Sequence, residues 1–325
     1  MKKHFPLIFL LILTACSLKK EMQTVRLEGF VFGTTYHITF VNDTPNTYQK
    51  QIDSLFYLVN KSTSTYIPTS DISKINKGDS TIIVDKIFKE VFQKSKRIFK
   101  ETDGFFDPTV GNLVNAWGFG PEEGKKEFTD EEVRKMMQFV GLDKVQLVNN
   151  QIKKQSPEIF LDFNSIAKGF GIDVIGRFLE SKNITNYLVE IGGEIRAKGK
   201  NLSENFWKVA IEQPNTDGTQ SFQATIQLEN ESMATSGNYR KFRIAKDGNK
   251  YVHTVNPKTG FATESNLLSA SVILNSDCAD VDAYATAFMA MGLEKTKTFL
   301  KTHKKIKVVL MYLDAKNTIK EYKNF

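Results

Sequence analysis

The stretch 162-DFNSIAKGFGID-173 decides how this chain is read. It follows an apolar, strand-like run, Ile159-Phe160-Leu161, and turns at once into a helical segment opening with an acid, a Ser, a Lys and two Gly. Each Gly inside a helix costs about 1 kcal/mol relative to Ala. Packing alone would not require Gly169 and Gly171, nor Lys168 between Ala167 and Gly169. A strand that ends in Asp162 and turns into a Gly-containing helix presents backbone groups to a ligand at the helix start. Lys168 adds a point charge able to meet a phosphate, and the two Gly let another backbone or a bound ring lie close. A capped helix with a snorkelling Lys accounts for the same residues without a ligand.

Outward from this turn, periodicity predicts the elements. Val25 to Val41 alternates as a hairpin punctuated by Gly29 and Gly33. Ile52, Leu55, Phe56 and Val59 recur at helical spacing, as do Ile87, Phe88, Val91, Phe92, Ile98 and Phe99. Thr129 with Glu132 fits a capping box for a helix closing near Gly141. Residues 145–154 read as a hairpin around Asn149-Asn150, and a helix follows from about Ser165 to Leu179. The second half predicts strands at 186–198, 206–212, 221–228, 239–255 with an Asp247-Gly248 turn, and 267–274. Helices at 279–291 and 293–302 precede a final strand pair. No repeat, low-complexity tract or long linker divides the chain. The pattern predicts one α+β domain, its strands mostly antiparallel and its helices outside.

The first residues are a separate object. Lys2 and Lys3 precede an apolar run, Phe5 to Leu13, and then Leu13-Thr14-Ala15-Cys16. The run is too short for a membrane span, which needs about 20 residues, and reads as a secretory signal. A Cys directly after small residues is the pattern of a bacterial lipoprotein signal. The reading is a signal peptide over 1–15, a lipidated tether over 16–24 beginning at Cys16, and a domain over 25–325. The chain would then be exported and membrane-anchored. Removing 1–15 takes away two Lys and no acid, lowering the formal charge from +7 to +5. That is mild, and no basic stripe with interleaved aromatics marks a nucleic-acid binder. Cys278 is the only other cysteine, so no internal disulfide supports an exported fold.

Seven polar islands stand out: 63-TSTYIPTSDIS-73, 106-FDPTVGNLVNAWGFG-120, 161-LDFNSIAKGFGID-173, 190-EIGGEIRAKG-199, 235-TSGNYRKF-242, 253-HTVNPKTG-260 and 280-DVDAYATA-287. Taken alone, Asp282 and Thr286 lie one helical turn apart on one face. A carboxylate and a hydroxyl there suit Mg²⁺ as hard oxygen donors, and equally suit a helix start with a buried Thr. In this order, behind a lipoprotein signal, the seven islands resemble the FAD:protein FMN transferases, the ApbE family, over roughly residues 25–315.

The resemblance implies an ApbE-like fold related to the T-fold, with FAD as substrate and Mg²⁺ as cofactor. It implies Mg²⁺ ligands at Asp282, Thr286 and the backbone oxygen of Ser165. It implies FAD contacts at Phe105, Phe106, Asp107, Asp162, Lys168 and Val255, and weaker ones at Tyr66 and at Phe32, where the family usually has Met. Asn164-Ser165 replaces the common Gly-Ala, which is harmless if Ser165 lends only its carbonyl, and Asn112 stands where Pro is common. Trp117 and Phe119 read as pocket walls or, more simply, as core aromatics. His253 and Asp282 compete as the base that takes the acceptor's proton.

The implied reaction is attack by a Thr or Ser hydroxyl of a target protein on the FMN-side phosphorus of FAD, with AMP leaving. The implied partners are extracytoplasmic redox proteins carrying a short Ser/Thr motif. Two other readings remain, an FAD pyrophosphatase giving FMN and AMP, and a non-enzymatic FAD-binding lipoprotein. Because Cys16 lies outside the core, Cys16→Ser is expected to release the protein from membranes with fold and activity intact. Membrane fractionation and an in-vitro assay check this. Loss of activity in a chain lacking residues 1–16 would show the boundary to be misplaced.

Overall fold

The computed structural model describes residues 21–121, 128–212, 222–238, 242–244, 250–262 and 265–325. The first half carries β1 (Gln23–Val31), β2 (Thr34–Asn42), α1 (Gln49–Thr63), α2 (Asp71–Asn76), α3 (Lys86–Glu101), α4 (Gly111–Ala116), α5 (Asp130–Met137), β3 (Val145–Val148), β4 (Gln151–Lys154) and α6 (Ala167–Ser181). Then come β5 (Tyr187–Ile191), β6 (Glu194–Lys198), β7 (Trp207–Glu212), β8 (Phe222–Leu228), β9 (Ser232–Gly237), β10 (Phe242–Ile244), β11 (Lys250–Val252) and β12 (Leu267–Leu274). The chain closes with α7 (Cys278–Met291), α8 (Leu293–Leu300), β13 (Lys307–Leu313) and β14 (Ile319–Lys323).

Eight strands form one sheet in the order β1-β2-β5-β6-β9-β12-β13-β14. Every neighbouring pair is antiparallel. The expected α+β architecture is therefore present. The helical segment between β2 and β5 and the pair α7 and α8 pack on one face. The β7–β8 hairpin covers the other, where Trp207, Val209, Ile211, Ile226 and Leu228 meet Ile195, Met233, Leu268 and Val309. Central strands buried on both faces lose the polar alternation of an edge strand, as β12 does.

Local chemistry explains the turns. Phe32 and Gly33 adopt positive φ of 52° and 78°, the signature of a two-residue hairpin turn. Asn149 and Asn150 do the same at 50° and 60°. Asp85 caps α3 by accepting from the Phe88 N–H at 2.9 Å, and the Thr129/Glu132 capping box is fully formed. That helix ends at Met137, short of Gly141. Three elements lack the expected periodicity: β9, α2 and α4. The predicted Asp247-Gly248 turn lies outside the described residues, while the flanking β10 and β11 pair as expected. The predicted signal and Cys16 also lie outside them. Among the described residues no helix is long and apolar enough to cross a membrane.

The centre of the fold is α7. Residues Cys278 to Ala285 are buried without interruption, and a helix buried on all sides belongs in a core. It packs on β9, β12, α3 and α6. At the α6 crossing the backbones approach so closely that a Cβ on Gly169 would lie 2.5 Å from the Cys278 carbonyl oxygen. The same construction on Gly171 meets the Phe32 ring at 2.4 Å. The two costly glycines of the opening stretch are thus contact points. Gly169→Ala gains about 1 kcal/mol of helix propensity but overpacks a backbone contact, typically at a cost of about 1–3 kcal/mol. A lower melting temperature is expected by circular dichroism; an unchanged or higher one would refute the clash.

Candidate functional site

Two groups of polar side chains flank the turn that leads into α6. The first is built on three loops. Asp162 is buried; its N–H donates to the Pro108 carbonyl at 2.7 Å, and its Oδ1 accepts from the Asn164 N–H at 2.8 Å. Val110 and Phe160 form a parallel bridge, and a Cβ on Gly111 would strike the Phe160 ring at 2.4 Å. The 106–111 and 160–162 segments therefore lie side by side because Gly111 has no side chain. Asn164 Nδ2 donates to Thr65 Oγ1 at 3.2 Å, which draws in the Thr65-Tyr66 loop. The Tyr66 phenol is exposed, and its pKa is raised by partial burial and by the Asp162 charge.

Within this group the sequence-predicted contacts divide by accessibility. The Asp107 carboxylate accepts from the Thr109 N–H at 2.8 Å and the Thr109 hydroxyl at 2.6 Å. Thr109 Oγ1 in turn accepts from the Gly141 N–H at 2.7 Å, so Asp107 shapes the loop. Phe106 is 1% exposed and part of the main core, which leaves only its backbone for a ligand. The Phe105 ring is buried beneath Lys258 and Lys295, at 5.6 and 4.8 Å. Phe32 leans on Phe56, with ring centroids 5.6 Å apart. Trp117 is core, donating from Nε1 to the Gly260 carbonyl at 2.9 Å.

The second group lies where α6, α7 and β6 converge. The Gly169 N–H donates to Asp282 Oδ2 at 3.1 Å. Among the described residues no backbone N–H donates to the Ser165 carbonyl, the oxygen a regular helix would have offered to Gly169. Lys168 Nζ pairs with the Glu194 carboxylate, and Asp282 acts on both electrostatically. Burial works against the Lys168 ammonium, yet Glu194 and Asp282 hold its pKa above the usual value. Burial raises the Asp282 carboxyl while Lys168 pulls it back, and the same balance acts on Glu194. Thr286 Oγ1 and Ser236 Oγ of β9 are 3.3 Å apart. Cys278 is inert: its buried thiol is pushed far up in pKa and donates to the Ile195 carbonyl at 3.4 Å.

The loop 253–260 joins the two groups. Thr254 Oγ1 donates to Asn238 Oδ1 at the end of β9, at 2.9 Å. Asn256 Nδ2 donates to the Ala290 carbonyl of α7 at 3.3 Å. Val255 is buried with Leu113, Trp117, Val133, Val140 and Ala262. His253, half-buried, is thereby carried beside the ends of β9 and α7, while Lys258 of the same loop reaches Phe105.

Glu194, Asn76 and Ser236 were not among the expected site residues. Glu194 lies in the polar island 190–199, and its place after Gly192-Gly193 is the available signal. Asn76 braces the opening strand with its amide, accepting from the Leu161 N–H and donating to the Leu161 carbonyl, both at 2.8 Å; nothing in its sequence context announces this. A cleft of about 530 Å³ lined by Glu231, Leu274, Asn275, Lys304, Lys305 and Lys307 shares none of these residues.

The donor chemistry at α7 fits Mg²⁺. That ion is held by one or two carboxylates, with waters and phosphate oxygens completing its shell. Asp282, the Thr286 hydroxyl and the Ser165 carbonyl supply oxygen donors of this kind. Among the described residues no group of three or more His, Cys, Asp or Glu side chains forms a dedicated metal cage.

An antiparallel α+β fold in which a half-buried Lys meets buried Glu and Asp carboxylates at a Gly-rich helix start is thus the class of protein defined here. The sequence pattern of the ApbE family matches residues 32–310. The FAD:protein FMN transferase of Haemophilus influenzae is 38% identical over 298 residues, 88% of this chain and 85% of that protein. The FAD:protein FMN transferase of Vibrio cholerae is 37% identical, over 96% and 94%. Among solved structures, the flavin transferase ApbE from Vibrio cholerae superposes with a TM-score of 0.82 at 35% identity, covering 93% of this chain and 97% of that one. The apo form of Pseudomonas stutzeri flavinyl transferase ApbE also gives 0.82, at 26% identity and 93% and 94% coverage. The chain belongs to the ApbE family.

Burial pushes the Asp107 carboxyl up to about 6, against the pull of Thr109 and Leu142 hydrogen bonds. In the unfolded chain the group titrates near 3.8. Between these values the folded state holds a proton the unfolded state has released, so stability falls as pH rises through the window. Asp107→Asn should abolish this loss, on the order of 2 kcal/mol. Urea unfolding at pH 4, 5 and 7 checks it; parallel profiles for parent and variant would refute it.

Proposed function

We propose that this chain transfers the FMN half of FAD onto a Ser or Thr hydroxyl of a target protein and releases AMP. The observation that carries the proposal is the α6–α7 crossing, where the Gly169 N–H next to Lys168 donates to Asp282 with Thr286 one turn further along α7, in a chain whose relatives are named for this transfer. Lys168 reaches a pyrophosphate oxygen from the start of α6. The Asp107, Asp162 and Tyr66 loops hold the rest of the nucleotide. Asp282, Thr286 and the Ser165 carbonyl would hold Mg²⁺, which when bound would neutralise charge on the pyrophosphate.

The acceptor hydroxyl oxygen bonds to the FMN-side phosphorus, the bond to the bridging oxygen breaks, and that oxygen leaves with AMP. The acceptor's proton passes to His253. Asp282 is the weaker candidate for base because its carboxylate already engages Gly169 and faces Lys168. His253 lies on the 253–260 loop, whose Thr254 and Asn256 bond to Asn238 at the end of β9 and to Ala290 of α7. The remaining work is positioning of substrates, supplied by the rigid crossing.

The sequence supports a location outside the cytoplasm. In this reading residues 1–15 are a signal, Cys16 is lipidated, the tether runs to residue 24, and 25–325 form the catalytic domain. The tether would lead into β1, the outermost strand of the main sheet. The acceptors would be extracytoplasmic redox proteins.

The deciding experiment incubates the soluble domain with FAD, Mg²⁺ and candidate acceptor domains, and looks for FMN mass on protein with equimolar AMP. Free FMN with AMP would point to a pyrophosphatase, and tight FAD binding without turnover to a carrier. His253→Ala should bind FAD normally and slow transfer about 10²–10⁴-fold; an unchanged rate would remove His253 from the reaction.

Asp282→Asn should fold normally and lose transfer on the order of 100-fold or more, whereas Thr286→Val should lose less. If the pair were only a helix start and a core Thr, Asp282→Asn would be nearly silent and Thr286→Val would lower stability without a specific loss of turnover. Thermal melts alongside Mg²⁺-dependent AMP release separate the two outcomes.

A further inference from the structure

Glu194 opens β6 directly after Gly192 and Gly193, which turn the chain at φ of 62° and 101°. Glu194 and Arg196 share the strand face turned toward α6, while Ile195 and Ala197 pack with the β7–β8 hairpin. The Glu194 side chain is only 5% exposed. One of its oxygens pairs with Lys168, and among the described residues the other, Oε2, has no hydrogen-bond partner. Leaving a buried carboxylate oxygen unsatisfied is costly, so its retention needs a reason. Lys168 keeps 31% of its side chain open, which makes it the member of the cluster that a ligand meets.

The charges give that reason. Two carboxylates, Glu194 and Asp282, share one ammonium. If Lys168 paired with Asp282, the carboxylate available to a cation would be neutralised. We propose that Glu194 is a positioning residue that holds the Lys168 ammonium off Asp282, so that Asp282 is left to take a divalent cation. The inference rests on the reading of Asp282 as a metal ligand. Asp282 Oδ2 is already fixed by the Gly169 N–H, so its orientation does not depend on Lys168, and Glu194 controls only which carboxylate the ammonium joins.

The test uses Mn²⁺ as probe, with free Mn²⁺ read by electron paramagnetic resonance on FAD-free protein and folding checked by thermal melts. Glu194→Gln frees Lys168 to pair with Asp282, and Mn²⁺ affinity should fall about 10–100-fold, the usual loss when an outer partner of a metal ligand is removed. Adding Lys168→Met to Glu194→Gln should restore it to within a few-fold of the parent, a non-additivity expected only of coupled residues.

Mn²⁺ affinity like the parent's in Glu194→Gln, with Asp282→Asn weakened, overturns the inference alone. Asp282→Asn binding like the parent overturns the metal reading and the inference with it. Weakening that Lys168→Met does not rescue overturns the route through Lys168. Should Glu194→Gln fail to fold, Lys168→Met is compared with the double variant. Equal affinities support the proposal, because without the ammonium Glu194 has nothing to hold, and a tenfold gap overturns it.

Discussion

Two helices in this fold exchange carboxylates for backbone donors. From α7, Asp282 accepts the Gly169 N–H near the start of α6. From α6, Asp173 accepts the Cys278 and Ala279 N–H groups at 2.7 and 2.9 Å, at the start of α7. Helix starts leave such donors unsatisfied and favour negative charge. Here each helix satisfies the other, and the crossing cannot slide without orphaning buried groups on both sides. The absence of a side chain at Gly169 lets the backbones come within range. The relative placement of Lys168, Asp282 and Thr286 follows from this lock.

The sheet reinforces it from β6. Arg196 pairs with Asp173 at 2.6 Å and with Asp277 at 2.7 Å, and Asp277 also accepts from Lys94 and Arg177. Burial works against the Asp277 carboxylate, but these cations hold its pKa well below the usual range. Such networks are poor sources of net stability. Their value here is geometric. One strand reaches α6 at Lys168 through Glu194 and at Asp173 through Arg196, and fixes both ends of the segment that carries the site.

Much of this was legible in the sequence, for identifiable reasons. Alternation and Gly or Asn turns announce the hairpins expected at 25–41 and 145–154, which extend over 23–42 and 145–154 in the fold, and the Thr129/Glu132 pair announces α5. Lys168, Asp282, Thr286 and the 253–260 loop stand out in the sequence because polar residues in fixed order contrast with an apolar background, and the fold brings the first two to one helix crossing. β9 was not legible: Ser232-Met233-Ala234-Thr235-Ser236-Gly237 is small and polar, and it is a strand because β6 and β12 pair with it on either side. The Glu194–Lys168 pair, the Asn76 brace and the burial of Phe106 depend on contacts between distant segments. Spacing along the chain carries no trace of them.

The oxygen donors around α7 come from two parts of the chain more than a hundred residues apart, Ser165 on one side and Asp282 with Thr286 on the other. A ribosome releases the first part long before the second. Until α7 emerges, the nascent polypeptide carries half a site and lacks the helix on which its core closes. Contacts of such wide sequence separation form late, so the Gly169 N–H and the Asp282 carboxylate find each other only when α7 docks on α6. Docking of that one helix therefore closes the core and assembles the crossing in the same event.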